Sequence, residues 1–228
     1  IYSVARSALK EIEARFVGRD AVTSMDMTLR NIGISISGRR ALVLGYGMIG
    51  TNVARCLQAN DLVVSVYDKY DHRNLQAFVD GFQIHKKREL LQQADIIFSA
   101  TAQQALAYDE IEECRDNVIL CSVGSKDTEF DVRAIKNNQV RNEVLGTHLV
   151  RYELPTSRHV IVAKEGAAVN FLLPSIPREI LDLVFSEMSE CFACLLRYTD
   201  KIQLGKIHVI TEDCLSVLAK DWLIPMNL

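Results

Sequence analysis

Residues 40 to 50 read Arg40-Ala41-Leu42-Val43-Leu44-Gly45-Tyr46-Gly47-Met48-Ile49-Gly50, a short apolar strand flowing into Gly-x-Gly-x-x-Gly and then into an amphipathic stretch, Thr51 to Gln58. This run constrains the fold tightly, because its three glycines have three separate duties. Gly45 permits a tight turn out of the strand, Gly47 lets backbone come within contact distance of an anion, and Gly50 lets the next helix sit close on the sheet. Unpaired N–H groups at the start of that helix then face the anion. A second apolar run, Leu62 to Tyr67, ends in Asp68, eighteen residues past Gly50, which is the place of an acid that binds the adenosine ribose of a dinucleotide. A carboxylate there accepts from the ribose hydroxyls and repels a 2'-phosphate, so the expected cofactor is NAD rather than NADP. The neighbouring Lys69 tempers that preference. Cofactor contacts are therefore expected from Gly45, Gly47, Met48, Ile49, Gly50, Asp68 and Lys69.

Further short apolar runs lie at 95–99 and 117–123. They are continuous rather than alternating, which signals burial on both faces and hence a parallel sheet covered by helices. A weaker strand near 81–84 and helices near 75–79, 88–93 and 132–137 fill the connections. Segments 148–153 and 159–163 flank a turn around Pro155 and read as a hairpin. The predicted fold is α/β, a Rossmann-type doubly wound parallel sheet with helical N- and C-terminal extensions. Its parts are a helical lead-in (1–37), a dinucleotide-binding domain with the hairpin (38–174) and C-terminal helices (175–228). Within the lead-in, an amphipathic helix from Val4 to Phe16 is expected to break at Gly18-Arg19-Asp20, with Asp20 or Thr23 capping a second helix to about Leu29. Helices are also expected over about 178–197 and 211–222.

The 228 residues carry a net charge of −3, which gives no electrostatic footprint for nucleic acid. No apolar run is long enough to cross a bilayer and the N-terminus lacks the plan of a signal peptide, so the chain reads as soluble and cytoplasmic. Six cysteines without the density of a disulfide scaffold read as reduced thiols, and Cys191-Phe192-Ala193-Cys194, inside a helical pattern, reads as structural rather than as a redox pair or metal site. The helix of about 178–197 is apolar nearly all round, with Ile180, Leu183, Val184, Phe185, Met188 and Phe192. Together with the stripe of the N-terminal helix, this predicts a homodimer.

A family resemblance extends from Tyr2 to about Cys194. It rests on the glycine turn, on Asp68, on Leu75-Gln76-Ala77 with Gly81-Phe82, and on Cys121-Ser122-Val123-Gly124 followed by Asp127 and Glu129-Phe130-Asp131. Val150-Arg151-Tyr152 and Glu165-Gly166-Ala167-Ala168-Val169-Asn170 complete it. In these residues the chain resembles the NAD domain of S-adenosylhomocysteine hydrolase. The resemblance implies that Ala100-Thr101-Ala102 lines the cofactor, and that the backbone of Val123 and Gly124 with the side chain of Asn170 holds the nicotinamide carboxamide. It also implies departures. Asp68 stands where the family has glutamate, Ser125 and Ile176 stand where it has histidines, and Lys220 to Leu228 do not match its lysine-tyrosine tail. The family's substrate domain would precede Tyr2, so this chain alone is not expected to hydrolyse adenosylhomocysteine.

One reading is then an NAD-dependent oxidoreductase acting on a small or nucleoside-like hydroxyl substrate. Hydride transfer needs a group to take the alcohol proton. The candidates are Lys164 and Glu165, just ahead of the Asn170 segment, then Ser125 and Lys126, with His148 and His159 behind them. A second reading is a non-catalytic NAD-binding module or partner subunit, which the two replaced histidines favour. A third, a 2-hydroxy-acid dehydrogenase, lacks the carboxylate-gripping arginine at Ser125-Lys126.

Overall fold

The computed structural model describes residues 1–5, 7–124, 127–174, 176–198, 203 and 205–224. Helix α1 (Ala8–Arg30) leads to strand β1 (Arg40–Leu44), α2 (Met48–Ala59), β2 (Val63–Tyr67), α3 (Asp71–Val79), β3 (Gln83–Ile84), α4 (Lys87–Leu91) and β4 (Ile96–Ser99). There follow α5 (Tyr108–Glu113), β5 (Val118–Ser122), α6 (Val132–Asn138), β6 (Arg141–Gly146), β7 (Leu149–Glu153), β8 (His159–Ala163), α7 (Arg178–Arg197) and α8 (Glu212–Leu223). Two compact units divide the chain: Val17–Ser175, and Ile1–Phe16 with Ile176–Leu228.

The first of these units holds the sheet, in the order β3-β2-β1-β4-β5-β8-β7-β6. The continuous apolar runs sit at its centre. Every residue of β4 and β5 is buried, as is all of β1 beyond Arg40. Pairing is parallel from β3 through β5 to β8 and antiparallel across β8-β7-β6. The reversal between β1-β2 and β1-β4 is the switch point at which a doubly wound sheet opens a crevice beyond its strand C-termini. The predicted hairpin is β7-β8, and it extends the main sheet rather than standing beside it. Its turn is closed by Leu154 N–H to Arg158 O (2.8 Å), and Arg158 Nη1 donates to the last carbonyls of α5, at Glu112 and Glu113, and to that of Cys114 just beyond it.

The predicted break in the N-terminal helix does not occur: α1 is continuous through Gly18, Arg19 and Asp20. A side-chain carbon built on Gly18 would lie 2.7 Å from Asn52 Cβ and 2.8 Å from the Asn52 and Val53 backbone. Gly18 is therefore the residue that lets α1 lie against α2, at a helix-propensity cost of about 1 kcal/mol. Burial of Val17, Ala21, Val22, Met25 and Leu29 on the same helix offsets that cost. Neither predicted cap acts as one. Asp20 is buried mid-helix beside Arg19, and Thr23 donates its hydroxyl to Arg19 O. The helix ends at Arg30, close to the expected Leu29, and Gly33 follows in the left-handed region (φ 77°).

In the other unit, Leu9, Leu183, Cys191, Cys194, Ile210 and Leu215 form one apolar cluster. Burial pushes the Cys191 and Cys194 thiols above their ordinary range, so both are poor nucleophiles there. Ser7 Oγ donates to the buried Glu187 carboxylate at 2.7 Å. No helix among the described residues is long and apolar enough to cross a membrane.

Candidate functional site

The glycine turn connects β1 to α2 at the C-terminal edge of the sheet. Gly45 has φ 88°, its N–H bonds Tyr67 O at 2.8 Å, and a side-chain carbon on it would lie 2.9 Å from Ala100 O. At Gly50 the same carbon would lie 1.8 Å from Gly45 O, so α2 can approach the turn only as glycine. Gly47 is the N-cap of α2, and no side chain among the described residues caps that end. The first turn, Met48 and Ile49 included, has no acidic residue, so its N–H groups and the positive end of the helix are left for an anion.

Asp68 follows β2 and is buried. Its Oδ2 accepts the Tyr46 N–H at 2.7 Å and its Oδ1 the Tyr70 N–H at 2.9 Å. Asn74 clamps the Asp68 backbone from both sides, accepting from its N–H and donating to its carbonyl, each at 2.7 Å. The acid thus ties the end of β2 to the glycine turn and retains lone pairs for a ribose. A cavity of about 350 Å³ opens here, bounded by Gly45, Gly47, Asp68, Lys69, Ala100 and Thr101. Its size suits half of a dinucleotide. Arg73 and Lys87, not foreseen from the sequence, also line it. Arg73 Nη1 donates to Tyr46 O at 2.7 Å, which brings a guanidinium beside the turn, and Lys87 pairs with Glu110 at 2.5 Å. Lys69 Nζ donates to Gln103 Oε1 at 3.0 Å.

Val123 and Gly124, which follow β5, and Asn170, in the short helical turn 169–172 after β8, were expected around the nicotinamide and do not line that cavity. Val123 is buried, and its N–H is bonded to Ser99 O at 2.8 Å. The segment bearing Asn170 joins the end of β5 through a bridge between Ser122 and Ala168. Asn170 is buried, and its Oδ1 has no hydrogen-bond partner among the described residues; neither has Ser122 Oγ. Thr101 and Ala102 do not offer free N–H groups to a cofactor, because both donate to the carboxylate of Glu129. In the sequence Glu129 carries no sign of this role beyond its place in the resemblance.

The expected proton acceptors Lys164 and Glu165 each have a bonding partner within the chain. Lys164 Nζ donates to Ala168 O at 2.9 Å and lies 5.5 Å from the centre of the Phe171 ring. Glu165 is solvent-exposed and pairs with Lys136 at 2.7 Å. The Lys136 ammonium holds the Glu165 carboxyl below its ordinary range, which makes it a weaker base. Both residues have positive φ, 46° and 55°, so the backbone between β8 and Gly166 is a strained left-handed turn. His159 hydrogen-bonds Asp116 through its backbone N–H and lies away from the turn. Ser125 and Lys126 lie outside the described residues.

A glycine turn with no room for side chains at Gly45 and Gly50, an uncapped helix start, a buried carboxylate at the end of β2 and a buried amide oxygen without a partner among the described residues together define a dinucleotide-binding Rossmann domain. The model of the S-adenosyl-L-homocysteine hydrolase NAD binding domain matches residues 16–175. The chain belongs to that family, and NAD is its cofactor. The adenosylhomocysteinase of Sulfurisphaera tokodaii is 26% identical over 200 residues, an alignment covering 87% of this chain and 48% of that protein. The chain thus spans about half the length of the curated relatives it matches. Among solved structures, the A chain of dipicolinate synthase from Bacillus subtilis is similar in fold, with a TM-score of 0.58 and 15% identity over 84% of this chain and 58% of that one. A structure described as the pyruvate reductase of Chlamydomonas reinhardtii gives a TM-score of 0.54 at 15% identity, covering 85% of this chain and 68% of that one.

Proposed function

We propose that the chain uses NAD to oxidise a small or nucleoside-like hydroxyl substrate, and that these 228 residues alone do not hydrolyse adenosylhomocysteine. When bound, NAD supplies a ring that accepts hydride. On this reading Gly45 to Gly50 hold the pyrophosphate, Asp68 holds the adenosine ribose, and Asn170 with the turn at Val123 and Gly124 orients the nicotinamide. The observation that carries it is the unpaired, buried Oδ1 of Asn170. Leaving such an acceptor unmatched costs about 1–3 kcal/mol, and a carboxamide N–H is a donor that would match it. Ser125 and Ile176, at the resembled family's histidine positions, argue against the hydrolase reaction.

One observation favours the second reading, a non-catalytic NAD-binding module. Lys164 is bonded to Ala168 O and Glu165 to Lys136, so neither stands ready to take an alcohol proton. Incubating the protein and NAD with nucleosides and small hydroxy acids, while following near-ultraviolet nicotinamide absorbance, separates the two. Substrate-dependent appearance of NADH supports the oxidoreductase. Bound NAD that no compound in the panel reduces overturns it in favour of the module.

A further inference from the structure

Glu129 has no exposed surface, and its side chain meets both Thr101-Ala102, after β4, and Gly124, after β5. Its carboxylate accepts Ser99 Oγ (2.5 Å), Thr101 Oγ1 (2.6 Å), Thr101 N–H (3.1 Å) and Ala102 N–H (2.7 Å). Its carbonyl accepts Ala105 N–H at 2.8 Å and Leu106 N–H at 3.2 Å. The whole turn after β4 is therefore fastened to one residue, at both ends. On its other side the carboxylate lies against Gly124, where a side-chain carbon would be 2.1 Å from Oε1. Gly124 is glycine because the acid occupies the space its side chain would need. Ala102, drawn onto the carboxylate, takes φ 57°, a left-handed conformation that alanine avoids without such a hold.

We propose that Glu129 is a positioning residue for the cofactor, fixing the turns after β4 and β5 in the shape that receives NAD, and that its buried charge favours the oxidised, cationic nicotinamide over the neutral reduced ring. The partners are the donors that an ionised carboxylate accepts. In a doubly wound sheet the second half of the dinucleotide crosses the C-terminal edge near β4 and β5. A negative charge buried in protein is screened less than one in water, so a cationic ring seated at that edge would be held more tightly than a neutral one. This inference rests on the NAD-binding reading of the site and goes beyond it by assigning the bias between redox forms.

The test measures dissociation constants for NAD+ and NADH by calorimetry, with melting temperatures alongside, in the parent chain and in Glu129→Gln. The glutamine keeps the shape and removes the charge. Both forms should bind more weakly, and the loss should be greater for NAD+ than for NADH by roughly threefold or more. Equal losses overturn the charge assignment, and unchanged affinities overturn the positioning role as well. Should the glutamine variant fail to fold, Glu129→Asp carries the test. It retains the charge but withdraws it by one methylene, so both forms should weaken alike; parent-like affinities would overturn the proposal. A parent chain that binds neither form overturns the cofactor reading itself, a result distinct from binding without bias.

Discussion

Replacing Gly47 by valine separates binding from folding at the glycine turn. Gly47 has φ −90° and ψ −165°, extended backbone that any residue adopts. A side-chain carbon there would have only Arg73 Nη1 nearby, at 3.4 Å, the far end of a flexible side chain. The fold therefore has room for the substitution. Loss of the glycine N-cap should cost about 1 kcal/mol or less, equivalent to a fall in Tm of roughly 2–4 °C for a domain of this size. The effect on binding should be larger, because the added methyls stand where phosphate must approach the uncapped N–H groups of α2. Losing one hydrogen bond to a charged group costs about 1.5–3 kcal/mol, so affinity for NAD should fall at least roughly tenfold. Gly50→Ala supplies the contrast: its new carbon would lie 1.8 Å from Gly45 O, so that variant should lose stability outright, by about 1–3 kcal/mol or more. Calorimetric titration with NAD and a thermal melt on each variant provide the readouts. A Gly47→Val protein that binds NAD as tightly as its parent would refute the placement of the pyrophosphate.

Three further outcomes are expected. Asp68→Asn should narrow the difference in affinity between NAD and NADP, because it removes the charge that repels a 2'-phosphate. Asparagine is chosen over alanine because the carboxylate also receives the Tyr46 and Tyr70 N–H groups, and a parent chain that already prefers NADP would show that Lys69 outweighs the acid. Light scattering at micromolar concentration should give the mass of a homodimer, since Phe185, Met188 and Phe192 leave α7 with large exposed apolar side chains; a monomer mass contradicts this. Burial lifts the Glu187 carboxyl above its ordinary value against the Ser7 hydrogen bond, so the stability this group contributes is fully present below the unfolded pKa and is lost as pH rises through the folded one. Glu187→Gln should accordingly raise Tm at neutral pH, with the gain shrinking as pH falls into the carboxylate range; a gain that persists unchanged in acid would rule out ionisation as its cause.

The central strands were legible because burial on both faces leaves a mark in composition: β1, β4 and β5 are nearly uninterrupted apolar runs. The glycine turn was legible because its constraints are local, between residues a few positions apart. By contrast β6 carries no such mark. It is an edge strand whose first four residues, Arg141 to Val144, are exposed, held in part by Arg151 pairing with Glu143 across to β7. α5 has six residues and a single buried apolar side chain, Ile111. Gly18 was misread because propensity makes glycine a breaker, while the deciding contact, with Asn52, is visible only once two helices meet. The same limit hid Glu129 and Arg73, whose partners lie about thirty residues away in the chain. It also favoured Lys164 and Glu165, whose nearness to Asn170 in sequence said nothing of the carbonyl and ammonium that engage them.

Hydrogen exchange of the backbone amides, followed with and without NAD, tests the whole placement of the cofactor in one experiment. Exchange should slow on binding in three separated segments: the glycine turn with the start of α2, the turn at Val123 and Gly124, and residues 168–170. Asp68 and its flanking amides should follow. Protection confined to the glycine turn would contradict the assignment of the nicotinamide half to the ends of β5 and β8, and no protection at residues 45–50 would contradict the site altogether.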